Sequence, residues 1–173
     1  MLARMLTLVC FCLAVATPRL AAQEPAKAGP EHEMLKKLAG DWDATVSFMG
    51  SESKATSHSE VGLGGLWLLT EFKGEFAGAP FAGRGTMGYD PAKKKYVSTW
   101  VDSMSASIMF SEGSFDADGK TFTETGSGTG PDGKPTKWRN VHEFQSNDKA
   151  VFTMYMTTDG KEAESFKITY QRK

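Results

Sequence analysis

Cysteine is the first shortage. The 173-residue chain holds two, Cys10 and Cys12, and both sit in an N-terminal stretch that reads as a removable leader. The mature chain is then expected to have no disulfide, no thiol nucleophile and no cysteine metal ligand. An excess of one charge is also missing, since 20 Lys and Arg face 21 Asp and Glu. That balance argues against a protein held to nucleic acid by bulk positive charge. Long apolar runs are lacking: Leu6 to Ala16, broken only by Thr7, falls short of the ~18 residues that a membrane helix requires. Nothing after it comes closer, so no transmembrane segment is expected in the mature chain. Histidine is scarce as well. His32, His58 and His142 fall on three separate elements and show no metal-ligand spacing.

What is present begins with that leader. Residues 1–22 read MLARMLTLVCFCLAVATPRLAA: a basic start at Arg4, a short apolar centre, and small residues at Ala14-Val15-Ala16 and Ala21-Ala22. This is the pattern of a secretory signal peptide, and it predicts an exported protein, periplasmic or extracellular. Cys10 follows Val9 and Cys12 follows Phe11, so neither has the small preceding residue that lipid anchoring needs. Residues 23–30 (QEPAKAGP) form a linker, and 31–173 form one domain.

Pro30, Glu31 and Glu33 suit the start of a helix, and Gly40 suits its end. Met34, Leu35 and Leu38 fall on one side between them, which predicts a short helix over Glu31–Ala39. Everything after Gly40 reads as β. Ten runs rich in β-branched and aromatic residues follow one another, over 42–48, 54–62, 66–75, 81–89, 95–103, 107–115, 121–129, 136–144, 150–157 and 164–172. Turn chemistry separates them, notably Asp118-Gly119, Asp132-Gly133 and Asp159-Gly160, where glycine accepts positive φ without steric cost. Hairpins this short leave no room for crossover helices, so the sheet is antiparallel. The predicted fold is all-β: a single up-and-down barrel of about ten strands with one short N-terminal helix, because closure removes exposed edges. A two-sheet sandwich is the alternative.

Alternation along the strands assigns faces. Trp42, Ala44 and Val46 face inward on the first strand, and Phe166, Ile168 and Tyr170 on the last. First and last strands are neighbours in a closed barrel, so Arg172 can lie over the Trp42 ring. On the eighth, Trp138, Asn140, His142 and Phe144 share the inner face. On the fifth, Tyr96, Ser98, Trp100 and Asp102 alternate with Val97, Thr99, Val101 and Ser103; either face could be the inner one on this pattern, and the side carrying Tyr96, Trp100 and Asp102 is preferred. Glu71 and Arg84 are read as further charges within apolar or glycine-rich strands, in need of partners or water. Aromatics with a few polar groups are what a small-molecule pocket requires.

Several motifs are set aside. Gly83 to Gly88 and Gly128 to Gly133 both match G-x-G-x-x-G, but neither leads into the helix that a phosphate cradle uses. Asp116 to Gly119 starts like a calcium loop and lacks the closing Glu. Neither G-x-S-x-G nor H-E-x-x-H occurs.

The opening Gly40-Asp41-Trp42 resembles the G-x-W start of lipocalins and other calycins, in which an arginine from the last strand packs on the tryptophan; Arg172 is placed for that role. The ordered set GDW (40–42), GLWL (65–68), GRGTMGYD (83–90), Tyr96, WVDS (100–103) and Gly113 is similar to the domain of unknown function 1579 family. That resemblance spans about His32 to Arg172 and implies a calycin-like barrel without an assigned activity. Nitrobindin-like haem barrels also have ten strands and a histidine iron ligand, which draws attention to His142. Their glycine-rich opening is absent here, where the chain reads GDWDATV, so no cofactor is expected and haem at His142 stays a minority alternative.

Three readings follow. The first is an exported protein, monomer or homodimer, binding a small apolar or amphipathic ligand in the lumen through Arg84, Trp100, Asp102, Trp138, Asn140, His142 and Tyr170. The second is a non-catalytic envelope or structural domain with a filled barrel. The third is a small enzyme in which His142 with Asp102 or Glu71 moves a proton. Binding ranks above the structural role and both rank above catalysis.

Overall fold

The computed structural model describes residues 25–130 and 133–173; the leader expected over 1–22 lies outside them. Helix α1 spans His32–Leu38, within the predicted range. Its last turn carries Lys36 and Lys37, which suit the negative end of the helix dipole. Its apolar side is Met34, Leu35 and Leu38, and Leu35 has no accessible surface at all.

Ten strands follow: β1 Gly40–Phe48, β2 Ser51–Gly62, β3 Trp67–Phe76, β4 Ala79–Asp90, β5 Lys95–Asp102, β6 Ser105–Phe115, β7 Thr121–Thr129, β8 Pro135–Phe144, β9 Lys149–Thr158 and β10 Lys161–Arg172. Each pairs antiparallel with its neighbour in sequence. β1 also pairs with β10, from Trp42↔Arg172 to Ser47↔Lys167, and this closes the ring. The closed order excludes the sandwich.

Several strands are longer than the sequence indicated, for a definite reason. Met49-Gly50, Ala77-Gly78 and Asp159-Gly160 are two-residue turns with both φ angles positive, at 49 and 81°, 51 and 81°, and 52 and 77°. Such turns match the twist of the flanking strands and so let pairing run to the tip. Only the third carries the Asp-Gly signature, so the first two were invisible as turns and β2 and β4 begin earlier than read.

The barrel has two unlike ends. At one, α1 lies over the opening, and Leu35 packs with Leu68, Met87, Tyr96 and Phe122. Tyr96 donates its hydroxyl proton to the Glu31 carbonyl (2.8 Å), and burial pushes the phenol up to about 12. Arg172 stands over the Trp42 ring at 4.0 Å, as the strand order implied. It also donates to the carbonyls of Ala39 (2.6 Å), Lys37 (3.0 Å) and Asn147 (3.0 Å). Gly40 has φ 124°, and a Cβ there would meet Arg172 Nη1 at 2.2 Å. The glycine of GDW thus makes room for the arginine that ties the helix to the barrel. At the other end lie the two-residue turns and a cluster of half-buried rings in which Phe48, Phe81 and Phe166 surround Phe76, with centroids 4.9–5.8 Å from it.

Candidate functional site

The inner wall is built from alternate residues, and glycines on it hold the tryptophans flat. A Cβ on Gly83 would meet Trp100 Cζ2 at 2.2 Å, and one on Gly85 would meet its Cε3 at 3.0 Å. Trp138 lies likewise against Gly126 and Gly128. Both indole N–H groups have partners: Trp100 donates to Asp102 Oδ2 (3.1 Å) and Trp138 to Ser111 Oγ (2.8 Å). The third glycine of the 83–88 run, Gly88, faces the other way, and a Cβ there would meet Trp67 at 2.7 Å. That G-x-G-x-x-G run is therefore a packing device for two tryptophans on opposite faces.

Deeper in the barrel is a polar cluster on three strands. Glu124 is 7% exposed and stands on the inner face of β7, opposite Gly113 of β6. A Cβ on Gly113 would lie 2.6 Å from Glu124 Cβ, so the glycine lets the acid cross β6 to reach β5. There Ser98 donates to Oε2 (2.6 Å), while from β8 Asn140 donates to Oε1 (2.9 Å). Two buried atoms are left over: Asn140 Oδ1 and His142 Nε2 have no hydrogen-bond partner. The imidazole packs against Phe152 and Phe122, with centroids at 4.8 and 5.7 Å. Burial pushes the His142 pKa down, and the Glu124 charge opposes that only in part. Burial likewise raises the Tyr170 phenol.

Not every inward residue is sealed. His142, Phe152, Met156, Tyr170 and Trp100 all point inward, and all keep accessible surface. Three of them, Phe152, Tyr170 and Trp100, are half-buried rings packed against a second core cluster of Ala44, Val46, Ala55, Phe72 and Ile168.

Trp100, Trp138, Asn140, His142 and Tyr170 are thus brought to one inner surface. Asp102 has the same parity but sits at the end away from α1, where it accepts from Trp100 and from the Met104 amide (2.9 Å). Arg84 does not join them. It and Glu71 are directly opposite on the outer faces of β3 and β4 and pair there with each other, so the inward reading of both charges is corrected. Their strands alternate strictly, and Phe72 and Gly83 take the inner positions. The hydrogen bond from Lys73 and the Arg84 charge hold the Glu71 carboxyl below its ordinary value. Glu71 is therefore not available to His142, and Asp102 makes no bond to it among the described residues. The remaining histidines have structural partners: His32 Nδ1 accepts from the Gly29 amide (2.9 Å), and His58 bonds Asp41 (2.8 Å) on the surface.

Sequence reasoning missed Glu124. The signal was available, because Phe122, Glu124, Gly126 and Gly128 alternate with Thr121, Thr123, Thr125 and Ser127. Phe122 sets the inner face, and Glu124 follows by parity.

Among the described residues no group of three or more His, Cys, Asp or Glu could hold a metal ion. His142 Nε2 has essentially no surface open to a sphere the size of water, so haem at that nitrogen would have to displace the packing against Phe122 and Phe152. Two recesses, of about 150 and 530 Å³, lie on the outer wall of β1–β3, away from the cluster. Among the described residues no helix is long and apolar enough to cross a membrane.

The molecule is a closed antiparallel barrel with a buried polar cluster against its inner wall. The chain belongs to the DUF1579 family, described as a protein of unknown function, whose model matches residues 27–172. No curated protein matches it. Among solved structures, the M. tuberculosis protein Rv2717c is 12% identical, with a TM-score of 0.57 over 84% of this chain and 98% of that one. A de novo designed fluorescence-activating β-barrel is 17% identical, with a TM-score of 0.45 over 80% and 96%. A redesigned barrel, mFAP1, bound to DFHBI is 16% identical, with a TM-score of 0.44 over 80% and 98%. At these identities the M. tuberculosis protein bears on the fold alone, and the designed barrels carry no argument for this chain.

Proposed function

We propose that this protein is exported and carries a small, largely apolar molecule in its barrel lumen. The observation that carries this reading is the accessible surface kept by inward-facing His142, Phe152, Met156, Tyr170 and Trp100. Flattened tryptophans support it, because an indole held to the wall by glycines leaves the centre free. The entrance lies at the end away from α1. There the β6–β7 ladder stops at Ser111↔Gly126, so β6 from Ser105 to Phe110 has no β7 partner. Met104, Ile108 and Phe110 are exposed beside that seam, and an apolar lip favours an apolar visitor.

The test is titration with the neutral fluorophore phenyl-naphthylamine. Saturable binding of one dye per chain is expected. Gly83→Ala drives the Trp100 ring off the wall and should weaken binding about tenfold, while circular dichroism reports an intact barrel. Absence of saturable binding, or binding indifferent to Gly83→Ala, would overturn the reading in favour of a filled structural barrel.

A further inference from the structure

We infer that the ligand's polar end is a hydrogen-bond donor carrying positive charge, such as a protonated amine, and that Glu124 with Asn140 and His142 receives it. This rests on the lumen reading above and adds the ligand's chemistry to it.

The argument is an inventory of the inner wall. Most of its polar groups already answer one another. Ser59 bonds Thr70 (2.9 Å), Ser111 accepts from Trp138, and Thr136 donates to the Thr157 carbonyl (3.3 Å). Glu124 accepts on both oxygens, from Ser98 and Asn140. Among the described residues no inward Lys or Arg sits beside it. The one inward Arg among the described strands is Arg172, committed at the α1 end to three carbonyls and the Trp42 ring. The cluster therefore holds a carboxyl group whose two donors, Ser98 and Asn140, are both neutral.

The unsatisfied atoms point the same way. Asn140 Oδ1 can only accept, because its amide nitrogen is committed to Glu124. His142 Nε2 accepts in the tautomer that keeps its proton on Nδ1. Both belong to one face of β8, two residues apart, with Asn140 directly opposite Glu124. A buried acceptor without a donor is costly, and an arriving ammonium brings three donors to a site that offers acceptors and a carboxyl group. A carboxylate ligand would meet the Glu124 carboxyl at the same place. The site is closely packed, so the head must displace side chains as it enters.

Three probes with one ring system and different heads separate the claims: naphthyl-methylamine, naphthyl-methanol and naphthoate, each titrated by calorimetry at neutral pH. The amine is expected to bind about tenfold more tightly than the alcohol, with naphthoate weakest. Glu124→Gln keeps the side-chain shape and should bring the amine's affinity to within about threefold of the alcohol's. If naphthoate binds as well as the amine, or Glu124→Gln leaves the ranking intact, the charge inference fails and the lumen reading survives. If none of the three binds, both fail. Should Glu124→Gln not fold, the wild-type ranking decides alone.

Discussion

The two ends of the barrel solve different problems with the same ten strands. At the α1 end the interior is closely packed: Leu35 is sealed among Leu68, Met87, Tyr96 and Phe122, and Arg172 ties the helix carbonyls to the closing strands. Towards the far end half-buried rings surround a second cluster of Ala44, Val46, Ala55, Phe72 and Ile168, and the β6–β7 ladder stops early. Between them stands Glu124 with two neighbouring atoms that lack partners. The unpartnered atoms lie close under the helix plug, where the His142 ring meets Phe122.

The sharpest way to break this contrast is Leu35→Ala. Removing a fully buried leucine typically costs about 2–5 kcal/mol, and chemical denaturation should show a loss in that range. Dye binding extrapolated to the folded fraction should not change. A loss of binding equal to the loss of stability would show that the two ends are not separate.

A smaller effect comes from His142. Its pKa is depressed in the folded state from an ordinary 6.5, so the unfolded chain takes up the proton first as pH falls. Stability is full above about 6.5 and declines below it, until pH reaches the folded-state pKa. The slope is at most about 1.4 kcal/mol per pH unit. Denaturation midpoints measured between about pH 7 and 5.5 should fall, and His142→Gln should flatten the trend across that interval. An unchanged trend in the variant would place the titration elsewhere.

The smallest effect is expected on the outer wall. Arg84→Ala breaks only an exposed ion pair with Glu71, and exposed pairs contribute little. Neither the thermal midpoint nor dye affinity should shift measurably. A clear drop in affinity would restore Arg84 to the site from which the structure removes it.

Much of the fold was legible because its signals are local. Alternation in β8 put Trp138, Asn140 and His142 on the inner face, and the order of strands placed Arg172 over Trp42. Glu71 and Arg84 misled because a charge in an apolar strand says nothing of its face unless its neighbours are counted. Met49-Gly50 and Ala77-Gly78 were illegible as turns, since a non-glycine residue at positive φ lacks the Asn or Asp that usually marks it. Glu124 is the instructive case: its parity was readable, but its role depends on what lies across two strands.

The sequence by itself determined the strand number, the antiparallel order, the capping helix and the inner faces of the first and last strands. Each follows from spacing, parity and turn chemistry within a few residues of chain. Only the tertiary structure decided that Gly113 clears a path for Glu124 to Ser98, that Arg84 and Glu71 satisfy each other outside, and that Asn140 Oδ1 and His142 Nε2 lack partners. Those facts depend on atoms from strands distant in sequence meeting at hydrogen-bond range. Strand alternation gives a side chain's direction, and closure of the barrel determines what it meets.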